Sequence, residues 1–370
     1  MEESTKIEEL DDFIKCDQFN FIIKKDYVYK NDYLGKGYYK EKFFEPESDP
    51  PRGYLEDFFD KFKLFWQYPV ITEQTFYKQN YKNKNYFPFP WATIIDKRYD
   101  LNLIYKLICE NIDIDEKNYF TCVQHISFRD LIPLFKKLNI TTVHTPHKVI
   151  GEDCINNINL FPCPLYAINY EEEGYRSGFL RDKNTQYYSL SDYDLLFIER
   201  HLLFSFVGAY NKRDYLSDIR EKIFSLEKKD NIYIENTGSW HFDPIVYSSM
   251  QNFKKDVDQE VLKKKNIEKN ASLFSLILLG SRFSLCPSGS GPNSIRLWES
   301  LAYGSIPVLL SDTLELPEHN LWNKAIVRIK EKDLDKIYEI LEKIDKKTED
   351  EMRKNCLEIY KHFRKNFINN

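Results

Sequence analysis

Apolar positions in this chain fall into two alternating patterns, and their order predicts its architecture. LNLIYKLICENI (101–112) has helical spacing. NYFTCVQ (118–124) is a short apolar run that predicts a buried strand, residues 129–138 predict a short amphipathic helix, and ITTVHT (140–145) predicts the next strand. A second series begins near residue 195. LLFIERHLLFSFVGA contains a strand ending at Gly208, YLSDIREKIFSL predicts a helix, and NIYIEN (231–236) another strand. Helices near 256–266 and 270–280, the strand RFSLC (282–286), the helix IRLWESLAYG and the strand SIPVLL (305–310) follow. Strands separated by helices predict a parallel sheet. Two such series predict an α/β chain of two doubly wound domains facing a cleft.

Outside these series the pattern weakens. Residues 1–60 are acidic with little periodicity, and 62–97 mix aromatics, prolines and polar groups, which predicts loop-rich surface with short strands. The polar segment 171–186 suits a linker. The expected units are residues 1–185, 186–348 and a C-terminal helix in 349–370. That helix carries Met352, Cys356, Ile359 and Phe363 at spacings of four, three and four, and is expected to pack back across to the first domain.

Composition narrows the classes. The 370 residues, 42% hydrophobic and 30% charged, suit two soluble globular domains. A net charge of −5 lacks the basic balance of a nucleic-acid binder. No window approaches 18 apolar residues, and the start MEESTKIEELDDF has neither signal-peptide nor anchor character. The seven cysteines are scattered, without CxxC or zinc-ligand spacing. The expectation is a cytoplasmic protein in a reducing compartment, with peripheral membrane attachment as the alternative. Glycine is scarce, at 12 residues where average usage of roughly 7% gives about 26. Four of them (Gly280, Gly289, Gly291 and Gly304) share one 25-residue stretch.

Three of these four fall in SRFSLCPSGSGPNSIRLWESLAYGSIPVLLSD (281–312), which reads as strand, tight turn, helix, glycine cap and strand. Ligands bind beyond the carboxyl ends of strands in open α/β sheets. Ser288, Gly289, Ser290 and Gly291 let backbone amides approach a ligand, and Asn293 or Ser294 can cap the helix that follows. A helix N-terminus beside such a turn suits a diphosphate. Arg296 and Glu299 share a helix face, placing a cation for phosphate and a carboxylate for the vicinal hydroxyls of a ribose. A structural turn with an internal Arg–Glu pair is the competing reading. The segment is neither GxGxxG nor a P-loop.

The run FSLCPSGSGPNSIRLWESLAYGSIPVLLSD resembles the exostosin-type (GT47) glycosyltransferase signature, and FSFVGAY with Asp218-Ile219-Arg220 resembles the start of the same donor domain. The likeness covers roughly 204–317. It implies the GT-B fold, two Rossmann-like domains with a nucleotide-sugar held mainly by the second. It also implies an inverting transfer to a glycan hydroxyl with no metal and no resident cofactor. By the same resemblance Glu299 takes the ribose of the donor, expected to be a UDP-sugar. Arg296 and the turn residues Ser288–Ser294 take the diphosphate, with Gly208 and Arg213 alongside. Many members carry Arg where this chain has Ser288, so that contact is expected either to be missing or to come from Lys212, Arg213 or Arg282.

Such a transfer needs a base from the first domain. The candidates, in order, are His125 at the end of a predicted strand, Asp96 and Glu73, with His144 and His147 behind. Phe89, Trp91 and Arg129 are candidate acceptor contacts, although core packing explains the aromatics equally well. His144-x-x-His147 lacks a third ligand and is not read as a metal site. A non-catalytic glycan-binding or scaffold subunit is the main alternative function, and a nucleotide-sugar epimerase a third.

Overall fold

The computed structural model describes residues 71–80, 82–96, 98–112, 114–166, 192–239 and 274–365. The expected boundary at 185/186, the linker 171–186, residues 1–60 and the helix near 256–266 lie outside the described residues.

The first half corrects the reading of 62–97 as surface. Ile71–Asn80 (α1) and Trp91–Asp96 (α2) are helices, and Phe76, Tyr86, Phe87, Phe89 and Trp91 are buried. Their closely spaced aromatics show no helical period because α2 is only six residues long and is held by contacts far away in sequence. Leu101–Asn111 (α3) starts at Asp100, whose carboxylate accepts from the amides of Asn102 and Leu103. Tyr119–Cys122 (β1), a 3₁₀ turn Phe128–Leu131, Ile132–Lys137 (α4) and Ile140–Thr145 (β2) follow as expected. Cys154–Ile155 (β3) and Ile158–Pro162 (β4) form an unexpected hairpin. Its turn residues Asn156 and Asn157 have φ of 52° and 68°, the positive values that a two-residue hairpin turn requires. The strand order is β1-β2-β4-β3, with only β3 antiparallel to its neighbour.

The second half begins with Asp192–Phe197 (α5) and Leu202–Gly208 (β5). Ile219–Phe224 (α6), Ile232–Asn236 (β6), helical residues 274–280 and Ser281–Pro287 (β7) come next. Ile295–Tyr303 (α7), Ile306–Leu310 (β8), Trp322–Ala325 (α8), Val327–Arg328 (β9), Ile337–Glu342 (α9) and Lys346–Lys365 (α10) complete it. All pairings are parallel, in the order β6-β5-β7-β8-β9. Numbered from its own first strand this is 2-1-3-4-5, a doubly wound order whose switch point lies between β5 and β7. Every residue of β8 is buried, which is why it reads as a continuous apolar run rather than an alternation.

The apolar stripe of α10 is the expected one. Phe363 lies 5.6 Å from Trp298 of α7 and 6.2 Å from Trp322 of α8, and Cys356 bonds the Ala325 carbonyl. The helix therefore packs chiefly on the second sheet's helices. Its end meets the first half through Tyr166, whose hydroxyl donates to the Phe363 carbonyl at 2.7 Å.

Buried arginines close the end of α7. Gly304, at φ 65°, is its left-handed cap. Arg200 donates to the carbonyls of Tyr303 (2.7 Å) and Leu278 (2.7 Å), and Arg353 donates to Gly304. Glu349 accepts from both Arg353 and Arg282. Glu349 and Arg353 are each 2% exposed, so removing one partner strands a charge in the interior. Glu349→Ala is expected to cost about 3–5 kcal/mol, read as a lower urea midpoint with an unchanged slope.

Candidate functional site

The carboxyl ends of β5 and β7, flanking the switch point, carry a pair of buried cations. Arg296, on the first turn of α7, and Arg220, on α6, are each 7% exposed. Arg296 donates to the Val207 carbonyl, and its guanidinium lies 4.5 Å from the Phe206 ring centre. Arg220 donates to the carbonyls of Ser288 and Ala209, each at 2.9 Å, and lies 4.4 Å from the Tyr215 ring. A Cβ on Gly208 would stand 2.8 Å from Arg296 Nη2 and 3.4 Å from Arg220 Nη1. The two guanidiniums thus converge on Gly208, where a Cβ would crowd Arg296.

Carbonyls and aromatic faces receive these cations. Neither has a carboxylate partner in an ion pair among the described residues, and the Nε of Arg296 is buried with no hydrogen bond. Burial and the like charge of Arg296 push the Arg220 pKa down to about 9. Burial likewise lowers that of Arg296. An anion placed between them would relieve both effects.

The glycine turn borders this pair. Arg220 Nη2 is 3.5 Å from where a Gly289 Cβ would be. The Gly289 amide is engaged within the turn, donating to the Gly291 carbonyl at 2.9 Å. That departs from the expectation of a bare amide at 289. Ser290 is exposed. Ser294 is the N-cap of α7 by backbone, but its side chain makes no cap bond. Asn293 is a bridge rather than a cap: its Nδ2 donates to the Pro146 carbonyl of the first half at 2.9 Å. Ser288 bonds Ser217 and Glu331. Glu299 is 1% exposed on the Arg296 side of α7.

Of the cations expected to compensate for Ser288, Arg213 is exposed and paired with Asp214 at 2.8 Å. Arg282 is paired with Glu349 at 2.8 Å. The cation that lies beside Ser288 is Arg220, which donates to its carbonyl. Its only sequence signal was its place in Asp218-Ile219-Arg220, a motif read for likeness and not for chemistry.

Carboxyl-end loops of the first sheet face this turn. A Gly291 Cβ would lie 2.7 Å from His147 Nδ1 and 2.8 Å from Ile126 Cγ2. Lys148 joins Asp153 (2.7 Å) and Glu315 (2.5 Å), and Val149 pairs with Leu314 in an antiparallel bridge. The three candidate bases come together beside this seam. His125 Nε2 is 3.1 Å from Asp96 Oδ1 at the end of α2. Glu73 of α1 accepts from the amides of Gln124 (2.9 Å) and Ala92 (3.2 Å), capping α2.

The candidate acceptor contacts fare differently. Phe89 and Trp91 are 1% and 0% exposed. Trp91 Nε1 donates to Thr121, and its ring packs on Phe135. They are core, and present no stacking face for a sugar. Arg129 is half-exposed and paired with Glu152. His144 stacks on Phe161, and burial lowers its pKa to about 4. Among the described residues no helix is long and apolar enough to cross a membrane.

The second half matches a known domain. Residues 188–344 match the family model of the Exostosin GT47 domain, and over this stretch the chain is exostosin-like. An Exostosin-1 homolog of Caenorhabditis elegans is 27% identical over 164 residues, 44% of this chain and 40% of the relative. Two Arabidopsis thaliana proteins, both named as probable glucuronoxylan glucuronosyltransferases, are 39% identical over 66 residues and 36% over 69. These cover 17% and 18% of this chain, and 15% of each relative. The chain thus spans less than half the length of the curated relatives it matches.

Glu73 gives a stability test. Burial, with Asp96 nearby, raises its carboxyl from 4.5 to about 8. The folded state therefore binds more protons than the unfolded chain between those values. Stability from this group is complete below about 4.5 and is lost as pH rises towards 8. Glu73→Gln is expected to flatten the fall in urea midpoint between pH 5 and 8; an unchanged slope would show that Glu73 titrates normally.

Proposed function

We propose that this protein is a glycosyltransferase that binds a nucleoside-diphosphate sugar and passes the sugar to a glycan hydroxyl. The observation that carries this reading is the convergence of Arg220 and Arg296, buried and without a carboxylate ion pair among the described residues, on Gly208 at the switch point. In this reading the donor diphosphate lies between the two guanidiniums and the N-terminus of α7. Glu299 takes the ribose hydroxyls. The resemblance favours uridine as the base, and the glucuronosyltransferase names of two relatives favour a sugar acid as one donor to try.

The reaction is a single in-line displacement with inversion, on a GT-B arrangement of two Rossmann-like units meeting at the seam. Negative charge develops on the leaving diphosphate, where the arginines and the α7 dipole neutralise it. A metal ion is not required in this scheme, so EDTA is expected to leave turnover unchanged.

Calorimetric titration with UDP, GDP and inorganic pyrophosphate tests the donor site. Arg296→Ala is expected to weaken binding of all three by about 10- to 100-fold, the worth of a lost charge-assisted hydrogen bond. Gly208→Ala, which keeps both cations but crowds their meeting point, is expected to weaken it too. Wild-type affinity in both variants would overturn the assignment, and far-UV circular dichroism checks that they fold.

A further inference from the structure

We propose that Asp96 is the base that takes the acceptor proton and that His125 is its positioning residue. This rests on the donor-site reading above and reverses the order that sequence alone suggested. The Ser127 amide donates to His125 Nδ1 at 3.0 Å, so the neutral ring carries its proton on Nε2, which faces Asp96 Oδ1 at 3.1 Å. Both ring nitrogens are committed. His125 can accept a proton only by giving up the Ser127 bond. An N–H donated to a carboxylate instead fixes the direction its oxygens face.

The other two candidates are in worse positions. Glu73 is enclosed at 1% exposure, with its carboxyl engaged by two backbone amides. At a pKa of about 8 it holds its proton at neutral pH. His147 aims Nδ1 at the glycine turn, but Gly291 itself occupies the space in front of that nitrogen. The Asp96 and His125 side chains keep 10% and 19% exposure. The next residue, Ile126, touches Gly291, so the pair borders the proposed donor site. Among the described residues, Glu73 from α1, Arg129 from the 3₁₀ turn and His147 from the loop after β2 are charged or titratable groups that face it.

The step balances without a co-reactant. The acceptor O–H proton passes to the Asp96 carboxylate as the acceptor oxygen bonds the anomeric carbon. The anomeric C–O bond to diphosphate breaks, and its electron pair leaves with the nucleoside diphosphate.

Hydrolysis of UDP-glucose, UDP-glucuronate and GDP-mannose by the full chain, with water as acceptor, tests this alongside UDP and GDP binding. Asp96→Asn is expected to lower kcat about 100-fold or more with donor KM and nucleotide affinity unchanged. His125→Gln, whose side-chain N–H can still reach Asp96, is expected to keep at least a tenth of wild-type kcat. His125→Ala, which removes the N–H altogether, is expected to lose more. Should Asp96→Asn not fold, Asp96→Glu shifts the carboxylate by one methylene and is expected to lower kcat at least tenfold. Wild-type kcat in the Asp96 variant that folds, or His125→Gln as impaired as His125→Ala or Asp96→Asn, would overturn the proposal. A wild-type protein that binds UDP or GDP but hydrolyses no donor would also overturn it, with the donor site standing. One that binds neither overturns the donor-site reading and this proposal with it.

Discussion

Two guanidiniums side by side in the interior are the constraint on which the second half of this protein depends. Removing one cation from water costs several kcal/mol even after relaxation, and a like charge beside it adds to that cost. Here the Phe206 and Tyr215 rings and the carbonyls of Val207, Ala209 and Ser288 offset part of it. These acceptors are supplied by the last residues of β5, the loop after it and the residue following β7. They are adjacent because the 2-1-3-4-5 order makes β5 and β7 neighbours. A folded chain that tolerates this arrangement is poised for an anion, since the anion alone converts mutual repulsion into attraction.

The seam assigns the remaining chemistry to the other sheet. Positive charge sits at the carboxyl ends of β5 and β7, with Glu299 buried nearby on α7, while Asp96 and Glu73 sit beside the end of β1. Contacts of Lys148, Asn293 and the Val149–Leu314 bridge hold the two edges in register. Asn293, by sequence a natural helix cap, serves the seam, which leaves the first amides of α7 without a side-chain cap.

Much of the framework was legible in the sequence because parallel strands buried on both faces appear as plain apolar runs. This held for 202–208, 282–286 and 305–310, while 140–145, with three threonines and a histidine, is only partly buried; α10 was legible through its spacing of Met352, Cys356, Ile359 and Phe363. Residues 71–96 were not legible in the same way. Their helices are short, and Glu73 caps α2 from 19 residues away, a bond no local pattern announces. The β3–β4 hairpin did have a signal in Asn156-Asn157, since asparagine tolerates positive φ. Arg220 was the larger miss at the site. A buried arginine and a surface one look alike in sequence, and only the facing of α6 onto β7 separates it from Arg213 and Arg282. The pairing of His125 with Asp96 joins residues 29 apart. The sequence could name both, but could not show that the histidine's nitrogens were already engaged.

Glycine scarcity takes on a different meaning in this light. A cluster of glycines before a helix invites a reading in terms of bare backbone amides, yet the Gly289 amide is engaged inside its own turn. Gly304 alone among the site-region glycines has a positive φ. Gly208 and Gly291 have backbones that any residue adopts, and both are glycine because a Cβ would meet something the site needs: a guanidinium in one case, His147 and Ile126 in the other. Absent side-chain volume, rather than backbone freedom, is therefore what lets two buried cations converge and two sheet edges close together. It follows that adding a methyl group at these positions probes the site more selectively than it probes the fold, because the backbone itself resists neither substitution.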